Sequence, residues 1–154
     1  MKKKVKINFK FREKLNSVLG GEHHNFCYQC GACVSVCPAA RYSEEFNPRL
    51  ILLKALLGLE ELLIQPNSPI WLCTNCYSCY ERCPQDVRPI EVIIALKNLA
   101  VEKGNAPKDI LKFSETITRT GVSGIITASV NERRKKLGLD SIKERPLDEL
   151  KKIL

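Results

Sequence analysis

Apolar and polar residues alternate at the start of the chain, where Val5, Ile7, Phe9 and Phe11 are set against Lys6, Asn8, Lys10 and Arg12. A period of two belongs to a half-buried strand, so residues 1–20 are expected to form a short, basic, extended arm, either an edge strand or a segment laid on a partner. Farther along the period becomes helical. Asn47 is a helix cap with Pro48 in the first position, an apolar run follows from Leu50 to Leu57, and Gly58 supplies the stop. A second helix is predicted from Pro89 to Lys103, closed by Gly104. Its polar residues Glu91, Asn98 and Glu102 fall on one line, and Ile90, Ile93, Ile94, Leu96 and Val101 cover much of the rest. After residue 105 only short helix-compatible pieces remain, Asn131 to Leu137 and Pro146 to Leu154. Segments of that length are marginal alone in water, so residues 106–154 read as a helical tail that either packs on its own domain or grips a partner.

Composition changes this picture in one respect. The chain has 154 residues, 44% of them hydrophobic, which suits a single domain with flanking arms. Eight cysteines are out of proportion to the rest, and all of them fall within residues 21–105. The basic N-terminus lacks the apolar stretch of a signal peptide, so the mature chain is expected to begin there. The most apolar segment, Leu50 to Ile64, is broken by Lys54, Glu60 and Glu61 and falls short of the roughly 18 to 20 apolar residues of a membrane span. These features predict a cytoplasmic protein, whose free cysteines in a reducing compartment are metal ligands rather than disulfides. The net charge of +8 counts the thiols as neutral. Two bound cubane clusters would remove about two units each. The remaining basicity is spread along the termini without an aromatic RNA-binding run or a helix-turn-helix pattern, which argues against nucleic acid as a partner.

The cysteines form an internal repeat. Cys27, Cys30, Cys33, Cys37 and Pro38 recur as Cys73, Cys76, Cys79, Cys83 and Pro84, each set reading C-x2-C-x2-C-x3-C-P. This is the bacterial two-cluster spacing. Three cysteines at intervals of three let one loop wrap a cube, whereas the fourth corner is closed from a distance. The pattern therefore predicts a first 4Fe–4S site from Cys27, Cys30, Cys33 and Cys83 and a second from Cys73, Cys76, Cys79 and Cys37. Pro38 and Pro84 turn the chain away after the crossing ligand. Zinc would accept the same thiolates, but a zinc ribbon needs only paired C-x2-C units and leaves the third cysteine, the fourth and the proline without a purpose. A zinc-stapled adaptor is thus the competing class.

The residues between the cysteines differ. Gly31, Ala32, Val34 and Val36 surround the first loop, and Thr74, Asn75, Tyr77, Ser78, Tyr80, Glu81 and Arg82 the second. More hydrogen bonding to sulfur at the second site predicts that it is reduced first. Gly31 suits a close approach of backbone to cluster, a need that its counterpart Tyr77 does not share on this reading. Trp71, Tyr28, Tyr77 and Tyr80 are expected to shield the clusters from water, and His23 and His24 to occupy surface or capping positions.

The run CYQCGACVSVCP, then RLILLKALLG, WLCTNCYSCYERCP and IEVIIALKNLAVEKG, resembles the C subunits of soluble heterodisulfide reductases of methanogenic archaea, most strongly over residues 22–104. The resemblance implies a mainly α, helical ferredoxin-type domain with two 4Fe–4S clusters on the eight cysteines. It also implies a hetero-oligomer in which a flavin-containing A subunit passes electrons through this chain to a B subunit that reduces the CoM-S-S-CoB heterodisulfide, with no catalytic residue in this chain. Related modules occur in iron-sulfur subunits of succinate dehydrogenase, fumarate reductase, glycolate oxidase and sulfur-metabolising reductases. The succinate and fumarate subunits add a 2Fe–2S domain for which no cysteines are left over here.

Overall fold

A computed structural model describes residues 5–124 and 126–143, and within these residues the fold is helical with no β-strand. The Pro146 to Leu154 helix expected from sequence lies outside them. Two compact units follow one another, Met1–Ala106 and Pro107–Leu154.

In the first unit, helix α1 (Phe9–Asn16) stands in place of the expected extended arm. The Asn8 side chain accepts from the Phe11 amide and caps the helix, and Phe11 and Leu15, one turn apart, are buried. Val5, Ile7 and Phe9 stay exposed. The period-two pattern fails because a lone strand gains nothing without a neighbour to pair with. A period-four pair on a capped helix reaches the core at once. Residues 5–8 remain non-helical, anchored where the Asn8 amide donates to the Gly58 carbonyl at 2.9 Å. A Cβ on Gly58 would stand 2.6 Å from the Asn8 carbonyl oxygen, so the glycine both ends a helix and admits the arm.

A 3-10 turn (Glu22–Phe26) leads to α2 (Ala32–Ser35) and α3 (Pro38–Tyr42). Helix α4 (Pro48–Leu56) begins as predicted, with Asn47 Oδ1 accepting from the Leu50 amide at 3.1 Å and Pro48 at the first position. Then come α5 (Glu60–Leu63), a second 3-10 turn (Pro69–Leu72) and α6 (Ser78–Glu81), followed by the central helix α7 (Pro89–Glu102). Ile90, Val92, Ile93, Ala95, Leu96, Leu99 and Ala100 bury α7 on most of its circumference. Around it pack Phe11 and Leu15 of α1, Ile51, Leu52 and Ala55 of α4, Leu63 of α5, and Ile70. Each fully buried Leu or Ile here contributes about 1.5–3 kcal/mol, which makes α7 the beam on which both cysteine loops rest. Glu60 ties the beam to the arm: its carboxylate accepts from Asn8 Nδ2 at 2.5 Å and pairs with Lys103.

The second unit holds α8 (Lys108–Thr120), stopped by Gly121 in the left-handed region, and α9 (Ala128–Lys136). The chain after α9 folds back on it, with the Ile142 amide donating to Asn131 Oδ1 at 2.9 Å and Arg134 Nε donating to the Asp140 carbonyl at 2.8 Å. Four cations, Arg133 to Lys136, crowd the last turn of α9, where the helix dipole favours them.

Candidate metal centre

The repeat seen in the sequence is also a repeat of backbone shape. Gln29 and Asn75 both have positive φ, 63° and 53°, and so do Gly31 at 85° and Tyr77 at 62°. In each loop these turns precede a one-turn helix, α2 or α6, that carries the third cysteine, Cys33 or Cys79. Tyr77 is thus held in the same left-handed conformation as Gly31, a turn the two loops share. A side chain there costs on the order of 1–2 kcal/mol that glycine avoids.

Helices α2 and α6 pack together, and Cys33, Cys79 and Ile90 form one small buried cluster. The middle cysteines of the triplets, Cys30 and Cys76, are exposed. Cys37 leaves its own loop: with Cys73, Cys76 and Cys79 it lines a cavity completed by Phe46, Pro48, Thr74, Tyr77, Ile90 and Ile93. On the other side, interaction with Cys30 raises the pKa of the Tyr28 phenol, and the nearby Cys83 adds to that shift. Each fourth cysteine also accepts a backbone amide, from Ala40 to Cys37 Sγ at 3.4 Å and from Val87 to Cys83 Sγ at 3.3 Å. Gln29 Nε2 donates to Cys27 Sγ at 3.2 Å, and Cys76 Sγ lies 3.5 Å from Ser78 Oγ.

Burial pushes the Cys33 thiol up to about 12, with the neighbouring Cys79 and Cys27 adding to the effect. Burial likewise lifts Cys79 to about 11, reinforced by Cys73 and Cys37. Cys73 is raised by burial, whereas Cys76 is lowered by hydrogen bonds from Ser78. Buried, mutually repelling thiols of this kind become thiolates only against a cationic centre, and the described lining of the cavity offers no carboxylate or imidazole in their place. The donor set therefore fits a thiolate-ligated iron-sulfur core.

Sequence reasoning missed Lys97. From α7 its ammonium donates to the Cys73 carbonyl at 3.3 Å and to Asn75 Oδ1 at 3.1 Å, and it lies 5.9 Å from the centre of the Trp71 ring. Burial lowers its pKa, partly offset by Cys73. A lysine among the apolar residues of α7 was the available signal. His24 also departs from expectation. It is fully buried, with Nδ1 2.6 Å from the Gly21 carbonyl oxygen and, among the described residues, no partner for Nε2, while His23 lies in a surface groove.

A family model described as a 4Fe-4S dicluster domain matches residues 23–87. The chain is 38% identical over 134 residues to an iron-sulfur C subunit of the CoB–CoM heterodisulfide reductase of Methanocaldococcus jannaschii, covering 83% of this chain and 70% of that protein. It is 33% identical over 140 residues to the C subunit of the H(2):CoB-CoM heterodisulfide,ferredoxin reductase of Methanothermobacter marburgensis, covering 91% and 74%. To a protein of Archaeoglobus profundus described as like the heterodisulfide reductase C subunit, the identity is 34% over 142 residues, covering 88% and 74%.

Proposed function

The chain belongs to the family of heterodisulfide reductase C subunits, iron-sulfur electron-transfer components of an oxidoreductase complex, and we propose that it carries electrons from a flavin-containing A subunit to a B subunit that reduces the CoM-S-S-CoB heterodisulfide. In this reading one cluster is held by Cys27, Cys30, Cys33 and Cys83 and the other by Cys73, Cys76, Cys79 and Cys37. Residues 21–105 are the two-cluster domain, residues 1–20 a flanking segment, and residues 106–154 a contact for a partner subunit. Each 4Fe–4S group, when bound, takes up and releases a single electron.

One observation carries the ligand assignment: Cys37 shares a cavity with Cys73, Cys76 and Cys79, more than thirty residues away in sequence. The protein's own part is positional. Cys30 and Cys76 leave one sulfur of each loop open to the surface, where a partner can approach. Cys33 and Cys79 bury the two sites against each other over Ile90 and keep water from the crossing. No helix of the described residues is long and apolar enough to cross a membrane. Anaerobic purification followed by iron and acid-labile sulfide analysis tests the reading, with about eight of each expected per chain. A chain that folds and supports turnover of its complex without iron would sink it.

A further inference from the structure

Beside the second loop, on the first unit, lies a surface groove of about 330 Å³ lined by Leu19, Gly20, Glu22, His23, Tyr77, Arg88, Glu91 and Ile94. Its walls are apolar at the rim. Leu19 is 94% exposed and Tyr77 47% exposed, although Tyr77 adjoins Cys76 and occupies a backbone position that glycine would fill without strain. Arg88 is likewise left-handed, with φ 50°. The floor is held by close packing: a Cβ on Gly20 would stand 2.8 Å from Glu91 Cβ, so the chain just before the first 3-10 turn and α7 touch there without a side chain between them. Strained residues persist where the surroundings over-determine them, and such positions cluster at functional surfaces.

The groove presents the carboxylates of Glu22 and Glu91. Arg88, the arginine of the lining, is already engaged. Its Nε and Nη2 donate to Asp86 at 3.1 and 3.0 Å, its guanidinium stacks 5.3 Å from the centre of the Tyr80 ring, and Nη1 reaches only to 3.8 Å from Glu91. His23 Nε2 stands 3.8 Å from Glu22 and 3.9 Å from Glu91, beyond hydrogen-bonding distance. Among the described residues, neither carboxylate accepts a side-chain or backbone hydrogen bond. Two half-exposed acceptors thus face a space walled by leucine, isoleucine and tyrosine, which matches a long side chain with an apolar stem and a cationic head.

We infer that this groove seats a lysine or arginine side chain of a partner subunit, with the stem between Leu19, Tyr77 and Ile94 and the charge at Glu22 and Glu91, so that the partner docks against the exposed Cys76 edge of the second loop. The inference rests on the proposed function, since it supplies the contact through which a redox partner would reach that edge. A basic anchor in an acidic pocket fixes the partner's orientation.

The test uses the whole complex purified anaerobically through a tag on this chain, with a photo-reactive benzoyl-phenylalanine in place of Tyr77. Irradiation is expected to cross-link position 77 to a partner subunit within a segment that carries a lysine or arginine. In a titration of the cluster-loaded chain with that isolated partner, the double variant Glu22→Gln, Glu91→Gln is expected to bind about tenfold more weakly. Glu61→Gln, at an exposed position of α5 outside the groove lining, is expected to bind unchanged. Iron, sulfide and EPR signals equal to those of the native chain establish that the variants are folded and loaded. A cross-link to a second copy of this chain, a cross-link confined to the chain itself, no cross-link in an intact complex, or unaltered affinity of the double variant each overturns the inference while leaving the electron-transfer reading in place. An iron-free chain, or one with which no other subunit associates, instead overturns the reading on which the inference rests.

Discussion

The two cysteine loops share a backbone and differ in almost everything hung on it. Residues 27–37 and 73–83 pass through the same left-handed turns and end in the same one-turn helices, yet the first loop meets that geometry with Gly31 and the second with Tyr77. Sulfur contacts do not separate them clearly: Gln29, Tyr28 and the Val87 amide serve the first set of cysteines, and Ser78 and the Ala40 amide the second. The cations beside them differ in place: Lys97, half-buried, is bonded to the Cys73–Asn75 segment, whereas on the first loop Arg41 donates to the Ser35 carbonyl. Repetition of ligand spacing thus fixes the coordination chemistry, and the neighbouring elements set each site's electrostatics.

The largest break in this comparison comes from exchanging ligands between the halves. Cys37→Ala is expected to abolish the EPR signal of the cluster on the second loop and Cys83→Ala that of the cluster on the first; loss of the local cluster in either variant would refute the crossed assignment. Next is Lys97→Met. A unit charge within about 8 Å of a cluster, at an effective dielectric near 20, is worth on the order of 2 kcal/mol, or roughly 100 mV for one electron. Removing it should lower the potential of the second cluster by an amount of that order in a redox titration and leave the first nearly unmoved. Equal shifts at both sites would mean that Lys97 does not distinguish them.

A smaller effect probes the scaffold that both loops share. Burial alone would raise the pKa of Glu60, but hydrogen bonds from Lys103 and Asn8 outweigh it and hold the carboxyl below its ordinary value of 4.5. Because the folded value is the lower one, this contribution is fully present above pH 4.5 and disappears as the pH falls through the folded pKa. Glu60→Gln should therefore cost about 2 kcal/mol near neutrality, and the gap between variant and parent in chemical unfolding should close on acidification, with both clusters retained. Smallest is the exchange at the turn. Tyr77→Gly should stabilise the chain by about 1 kcal/mol and Gly31→Ala should destabilise it by a similar amount, as read from unfolding midpoints. A destabilised Tyr77→Gly variant would show that the ring contributes more packing than the turn costs.

How much of this is legible in the sequence depends on the distance over which each feature is decided. The boundaries of α4 and α7 are readable because their caps are local: Asn47 with Pro48 and Gly58 for one, Pro89 and Gly104 for the other. Helix α8 carries comparable signals, Pro107 before it, Ile110, Phe113 and Ile117 at helical spacing and Gly121 after it, which a reading centred on the cysteine repeat misses. The N-terminal segment misleads because alternation in sequence says nothing of whether a neighbouring strand exists. Spacing also singles out the eight cysteines and predicts their division into two sets, with Cys37 expected beside Cys73, Cys76 and Cys79.

Tertiary structure alone joined Cys33 to Cys79 over Ile90, carried Lys97 to Asn75 and buried His24. Each of these depends on how α7 lies against elements distant in the chain. A linear pattern records which residue types recur and at what interval. It does not record which faces meet, because contact between remote segments is decided by the packing of the whole unit, where apolar burial outweighs any local preference.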